Sequence, residues 1–91
     1  MAVIRLPRAD PALAEAVKSL REERGLSREG LAFRSGVTPG AVAQIELAQV
    51  VPRWDTVRML VKGLGTTLVD LAGAIEAREA LRTGAGEGPV A

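Results

Sequence analysis

The sequence predicts an all-α domain made of five short helices. Apolar residues recur at positions i, i+3, i+4 and i+7 in three separate segments, and cap-type residues precede most of the predicted helices. No stretch of useful length alternates apolar and polar residues as a half-buried strand would. The chain has 91 residues, 47% of them hydrophobic, which is enough for one core and too little for two.

The first helix is predicted from Pro11 to about Arg24. Asp10 precedes it as an N-cap, with proline at the first helical position. Gly25 is expected to end it in the left-handed conformation. Its apolar face carries residues at helical spacing: Leu13, Ala16, Val17 and Leu20.

The second and third helices are predicted from their caps. Ser27 begins the second helix, which ends at Ser35 and Gly36, and Thr38 with Pro39 begins the third. The apolar residues on the second helix are Leu31, Ala32 and Phe33. The third helix carries Val42 and Ile45.

The fourth and fifth helices are predicted mainly from periodicity. The fourth is indicated by Val57, Leu60, Val61 and Leu64, and Gly63 and Gly65 are expected to break it. Thr67 is the predicted N-cap of the fifth, which extends to about Arg82. Its apolar face is predicted to contain Leu68, Leu71, Ala72 and Ile75.

The predicted organisation is an N-terminal arm (residues 1–11), a five-helix domain (residues 12–82) and a flexible Gly-rich tail (residues 83–91). No apolar run approaches the length of a membrane span, and the N-terminal residues lack a secretory pattern, so we expect a cytoplasmic protein.

Composition argues against an enzyme. The chain contains no Cys and no His, which excludes disulfides, thiol nucleophiles and imidazole catalysis and leaves no expected metal or cofactor site. Net charge is +1, but residues 17–62 hold eight Lys and Arg against five acidic residues. This basic middle favours an anionic partner.

Residues 26–46 resemble the helix-turn-helix of lambda-repressor-like, Xre/Cro-type DNA-binding domains. The matching positions are the small Ala32, the turn residue Gly36, the core residues Val42 and Ile45, and the acidic Glu46. The similarity extends in order and spacing over roughly residues 13–75. The resemblance implies a compact five-helix fold whose second and third helices form the DNA-binding unit.

The resemblance also implies a set of contacts. The third helix, residues 38–47, would enter the major groove of double-stranded DNA. Base contacts fall on Pro39, Gly40, Ala41 and Gln44, with Thr38 and Ala43 on the same exposed face. Phosphate contacts fall on Arg28, Gln49 and Arg53. The implied activity is transcription regulation, with repression by occlusion as the simplest mechanism.

Two interpretations of this surface remain open, because its third helix carries few hydrogen-bonding side chains and the following loop, residues 47–52, is uncharged. The protein could bind DNA mainly through phosphates and DNA shape. Alternatively it could be a protein-interaction module, such as an antitoxin or anti-regulator, with Val50 and Val51 in an apolar patch. The joint presence of Arg28, Gln44 and Arg53 favours the first.

Three further expectations concern packing and assembly. Arg21 and Glu46 resemble the family's structural ion pair between helices, and Trp54 is expected to cap the core. A homodimer is expected, either through the N-terminal arm (residues 2–6) or through a second face of the fifth helix. That face consists of small and apolar residues: Val69, Gly73, Ala77 and Ala80.

Overall fold

The computed structural model describes residues 9–82, and all the regular structure in this range is helical. The five helices are α1 (Pro11–Glu23), α2 (Arg28–Ser35), α3 (Pro39–Glu46), α4 (Trp54–Leu64) and α5 (Leu68–Arg82). The predicted all-α fold class is therefore confirmed. Residues 1–8, the larger part of the predicted arm, and the predicted tail lie outside the described residues.

Four helices begin at the N-caps that the sequence predicts. The Asp10 carboxylate accepts a hydrogen bond from the backbone N–H of Ala12 at 2.9 Å. The hydroxyl oxygens of the other three caps also accept from backbone N–H groups: Ser27 from Gly30, Thr38 from Ala41 and Thr67 from Asp70. Each bond satisfies a donor that the first helical turn leaves without a partner.

The core is aliphatic and lies where the short helices cross. Helix α2 packs most extensively against α4, and α1 packs against α5, while α3 closes the core against α1 and α2. The largest fully buried side chains are Leu31, Leu60, Leu64, Val17 and Val42. Helices of 8 to 15 residues gain most of their stability from such packing.

Gly63 does not break α4, contrary to the expectation from the sequence. The helix continues through it to Leu64 and ends at Gly65, which has a φ of 68°. Gly63 is buried against Ser35 of α2, and a Cβ placed on it would lie 1.9 Å from the Ser35 Oγ. This glycine is needed for the close approach of α2 and α4.

Both aromatic residues lie outside the core. Phe33 is 90% exposed because α2 buries its opposite face, which carries Leu31, Ala32 and Ser35. Trp54 is the first residue of α4 and is 64% exposed, so the expectation that it caps the core is wrong. Trp54 thus precedes the buried residues of α4, which begin at Leu60.

The apolar face predicted for α5 is only partly correct. Leu71 is buried and Ile75 is half-buried, but Leu68 and Ala72 are exposed. The inward face continues instead through Ala74 and Arg78, the latter donating a hydrogen bond to the Ser19 hydroxyl of α1. Within residues 9–82 no helix is long and apolar enough to cross a membrane.

Candidate nucleic-acid interface

Helix α3 presents one face to the core and the other to solvent. Val42, Ile45 and Glu46 are buried, and Gly36 makes the turn from α2 in the left-handed region with a φ of 76°. The residues predicted to read bases occupy the outer side: Thr38, Pro39, Gly40 and Gln44 are exposed, and Ala41 and Ala43 are half-buried. The fold therefore brings the predicted base-contacting residues together on one accessible ridge.

This ridge carries few hydrogen-bonding side chains. The Thr38 hydroxyl oxygen already accepts from the Ala41 N–H at 3.1 Å as the helix cap. Gln44 is the one exposed amide among the predicted base-contacting residues. Because an amide can read adenine with two hydrogen bonds, Gln44 is the strongest candidate here for direct base recognition.

The three predicted phosphate contacts lie on the segments that precede and follow α3 in the chain. Arg28 is the first residue of α2, Gln49 is exposed in the loop after α3, and Arg53 is the N-cap residue of α4. The side chain of Arg53 is 85% exposed and lies 3.6 Å from the Asp55 carboxylate, an ion pair in solvent that holds it weakly. Two of these residues thus stand at helix N-termini, where the helix dipole favours an anion.

A cluster of three charged side chains, Arg21, Arg28 and Glu46, lies behind this surface with Glu46 fully buried. The Glu46 side chain is fully buried and accepts from Arg21 Nε at 2.6 Å and from Arg21 Nη2 at 3.0 Å. Arg21 Nη1 also donates to the Leu26 carbonyl oxygen at 2.8 Å. Hydrogen bonding to Glu46 raises the pKa of the Arg21 guanidinium, against a smaller opposing effect of burial.

The same carboxylate also holds Arg28. Arg28 Nε donates to Glu46 Oε1 at 3.0 Å, and 36% of the Arg28 side chain remains exposed. Sequence reasoning identified the Arg21–Glu46 pair and, separately, Arg28, but missed this second bond. No local spacing signals it, because Arg28 and Glu46 are 18 residues apart and meet only after α2 packs on α3.

The loop after α3 and the first residue of α4 carry exposed apolar side chains. Leu47, Val51 and Trp54 are all more than half exposed, and we call these three residues the apolar patch. Val50, which the sequence analysis placed in such a patch, packs partly against the core instead. Ala48 in the same loop has a φ of 56°, a conformation that favours glycine.

The described residues contain no group of three or more acidic side chains that could hold a metal ion.

A family model for the helix-turn-helix domain matches residues 12–74. The chain belongs to this helix-turn-helix family. Membership supports a DNA-binding transcriptional regulator, and none of the curated proteins matches the chain.

Solved structures agree with this helix-turn-helix assignment. The restriction-modification controller protein C.Esp1396I is 19% identical over 81% of this chain and 95% of its own, with a TM-score of 0.75. The clp gene regulator ClgR from Corynebacterium glutamicum is 23% identical over 89% of this chain and 86% of its own, with a TM-score of 0.80. The predicted lambda-repressor-like fold is therefore confirmed.

Proposed function

We propose that the protein is a transcriptional regulator that inserts α3 into the major groove of double-stranded DNA. The observation that carries this proposal is the exposed ridge of α3, set by the buried face of the same helix, with Arg28 at the start of the preceding helix and Arg53 at the start of the following one. An α-helix fits the major groove, and the cations Arg28 and Arg53 on the neighbouring helices can bind backbone phosphates.

Recognition on this proposal depends more on phosphates than on base edges. Gln44 supplies the amide that can read a base directly, while Ala41 and Ala43 offer methyl groups that can contact thymine. The proposed contacts to the DNA phosphates come from Arg28 and Arg53, which are charged, and from Gln49, which is not. With so little direct readout, sequence preference would come largely from groove shape and deformability.

Regulation on this proposal is repression by occlusion, in which bound protein blocks a promoter. Two copies would act together, since one small helix-turn-helix makes few base contacts. The outer face of α5 supports a second copy as its partner: Val69 is 80% exposed, and the small residues Gly73, Ala77 and Ala80 are exposed beside it. Small side chains let two helices approach closely.

The dimer has its own test. Val69→Glu places a charge on the most exposed apolar residue of the proposed contact and should convert a dimer to a monomer in analytical ultracentrifugation at tens of micromolar protein. Lys18→Glu, an exposed change on α1, is the matched control and should leave the mass unchanged. A monomeric wild-type protein at that concentration would disprove the dimer.

The apolar patch supports a second candidate function, binding of another protein by Leu47, Val51 and Trp54. Exposed apolar residues that lie together can mark protein contacts. The two functions differ in salt dependence. Binding through several phosphates weakens steeply between 50 and 200 mM salt, whereas an apolar contact changes little.

The deciding experiment is fluorescence anisotropy with random duplexes of about 30 base pairs, long enough for two half-sites. We expect salt-sensitive binding that is lost in Arg28→Ala/Arg53→Ala. The control Lys18→Ala/Lys62→Ala removes the same charge from exposed positions outside the proposed contacts and should keep most of the affinity. Absence of binding at low salt would refute the DNA function and favour the apolar patch.

A further inference from the structure

The cluster at Glu46 holds two cations and one anion, and its excess charge is on the exposed side. Glu46 is fully buried, and Arg21 retains only 11% of its side-chain exposure, whereas Arg28 retains 36%. Arg21 already satisfies Glu46 with two bonds, so Arg28 is not needed to neutralise the carboxylate. The positive charge that remains is therefore the one at the start of α2.

The bond between Arg28 and Glu46 fixes the direction of this cation. Glu46 accepts from the Nε–H of Arg28, the donor nearest the side-chain stem. A guanidinium carries five N–H donors in one rigid plane, so fixing Nε also fixes the plane of the two terminal nitrogens. Those terminal nitrogens are the donors that pair with two oxygens of a phosphate.

We propose that Glu46 is a positioning residue for DNA binding: it holds Arg28 by Nε so that the terminal nitrogens of Arg28 bind a backbone phosphate. This inference rests on the proposed DNA function. It assigns to Glu46 a second role besides its structural pair with Arg21. It also requires arginine at position 28, because a lysine ammonium cannot hold Glu46 and a phosphate with the same fixed geometry.

The contrast with Arg53 provides the first test. Both arginines are proposed phosphate contacts at helix N-termini, but only Arg28 is held by a buried carboxylate, while Arg53 is 85% exposed. Arg28→Lys should therefore weaken DNA binding by about tenfold, the loss expected for one oriented charge-assisted hydrogen bond. Arg53→Lys keeps the charge of a side chain that only an exposed ion pair holds, so it should weaken binding less than Arg28→Lys does.

A double-mutant cycle tests whether Glu46 acts through Arg28. DNA affinity is measured for the wild type, Glu46→Gln, Arg28→Met and the double variant, each checked for folding by circular dichroism. We expect Glu46→Gln to weaken binding although it removes an anion, because Arg28 stays charged but is no longer held by Nε. In the Arg28→Met background the same change should have no further effect.

The outcomes separate the two proposals. Equal losses from Glu46→Gln in both backgrounds, or wild-type affinity in Arg28→Lys, would overturn the positioning role and leave the DNA function standing. If Glu46→Gln does not fold, the comparison of Arg28→Lys with Arg53→Lys decides alone. Absence of salt-sensitive binding by the wild-type protein would overturn the DNA function, and the positioning role with it.

Discussion

Replacing Gly63 with alanine tests whether the close contact between α2 and α4 limits the fold. The new Cβ would lie 1.9 Å from the Ser35 Oγ and 3.0 Å from both the Cβ and the backbone N of Ser35. The hydroxyl could rotate away, but the backbone nitrogen can yield only if α2 moves. Overpacking costs about 1–3 kcal/mol, and we take the upper end because backbone must shift.

The net effect includes a gain as well. Alanine stabilises a helix interior by about 1 kcal/mol relative to glycine, so Gly63→Ala should lower the free energy of unfolding by about 2 kcal/mol. For a domain of this size that corresponds to a fall in Tm of roughly 8–16 °C. Thermal and urea unfolding followed by circular dichroism measure both quantities.

Gly73→Ala is the matched control for this prediction. Gly73 lies within α5, and an added Cβ there meets nothing within 4 Å. No steric cost then opposes the stabilisation of the helix by alanine, and Tm should rise by roughly 4–8 °C. Measurement over a range of protein concentrations separates this gain from any effect on association. A Gly63→Ala protein that is as stable as the wild type would refute the steric argument.

Three further predictions concern the cluster, the loop and the tryptophan. Arg21→Met should cost about 3–5 kcal/mol, since it leaves the buried Glu46 with Arg28 alone. Because the pKa of Arg21 is raised, the stability that Arg21 contributes is lost only as pH rises through that higher value. The difference in free energy of unfolding between the wild type and Arg21→Met should therefore be constant between about pH 6 and 10. Ala48→Gly should stabilise by about 1 kcal/mol, because it relieves a left-handed φ of 56°. Trp54→Ala should cost less than about 1 kcal/mol, far below the ~3–5 kcal/mol of a core tryptophan, and a larger loss in urea unfolding would contradict its exposure.

The starts of four helices could be predicted from the sequence because they depend on local interactions. Asp10, Ser27, Thr38 and Thr67 each cap a backbone N–H two or three residues further along, so the whole interaction is visible in a short stretch of sequence. The turn residue Gly36 is of the same kind. With these fixed points, the order and spacing of the helices were sufficient to indicate the family fold.

The exposure of individual apolar residues could not be predicted in the same way. Phe33 and Trp54 stand in or beside apolar runs, yet their exposed fractions are 90% and 64%, and Leu68 on the predicted inner face of α5 is 37% exposed. Which side is covered depends on the crossing of α2 with α4 and of α1 with α5. The close approach of α2 and α4 depends in turn on Gly63, whose role is visible only as a tertiary contact with Ser35.

The Arg28–Glu46 bond joins the fold to the proposed recognition mode. Helix α3 presents one exposed amide, Gln44, so its direct readout of bases is limited. A protein that reads DNA shape must hold its cations at fixed places, because only then does a change in groove width alter the binding energy. A freely moving side chain would follow the phosphate and lose that discrimination. On this proposal, the bond from Arg28 to the buried carboxylate of Glu46, the last residue of α3, supplies the fixed reference that a helix with so few hydrogen-bonding side chains needs.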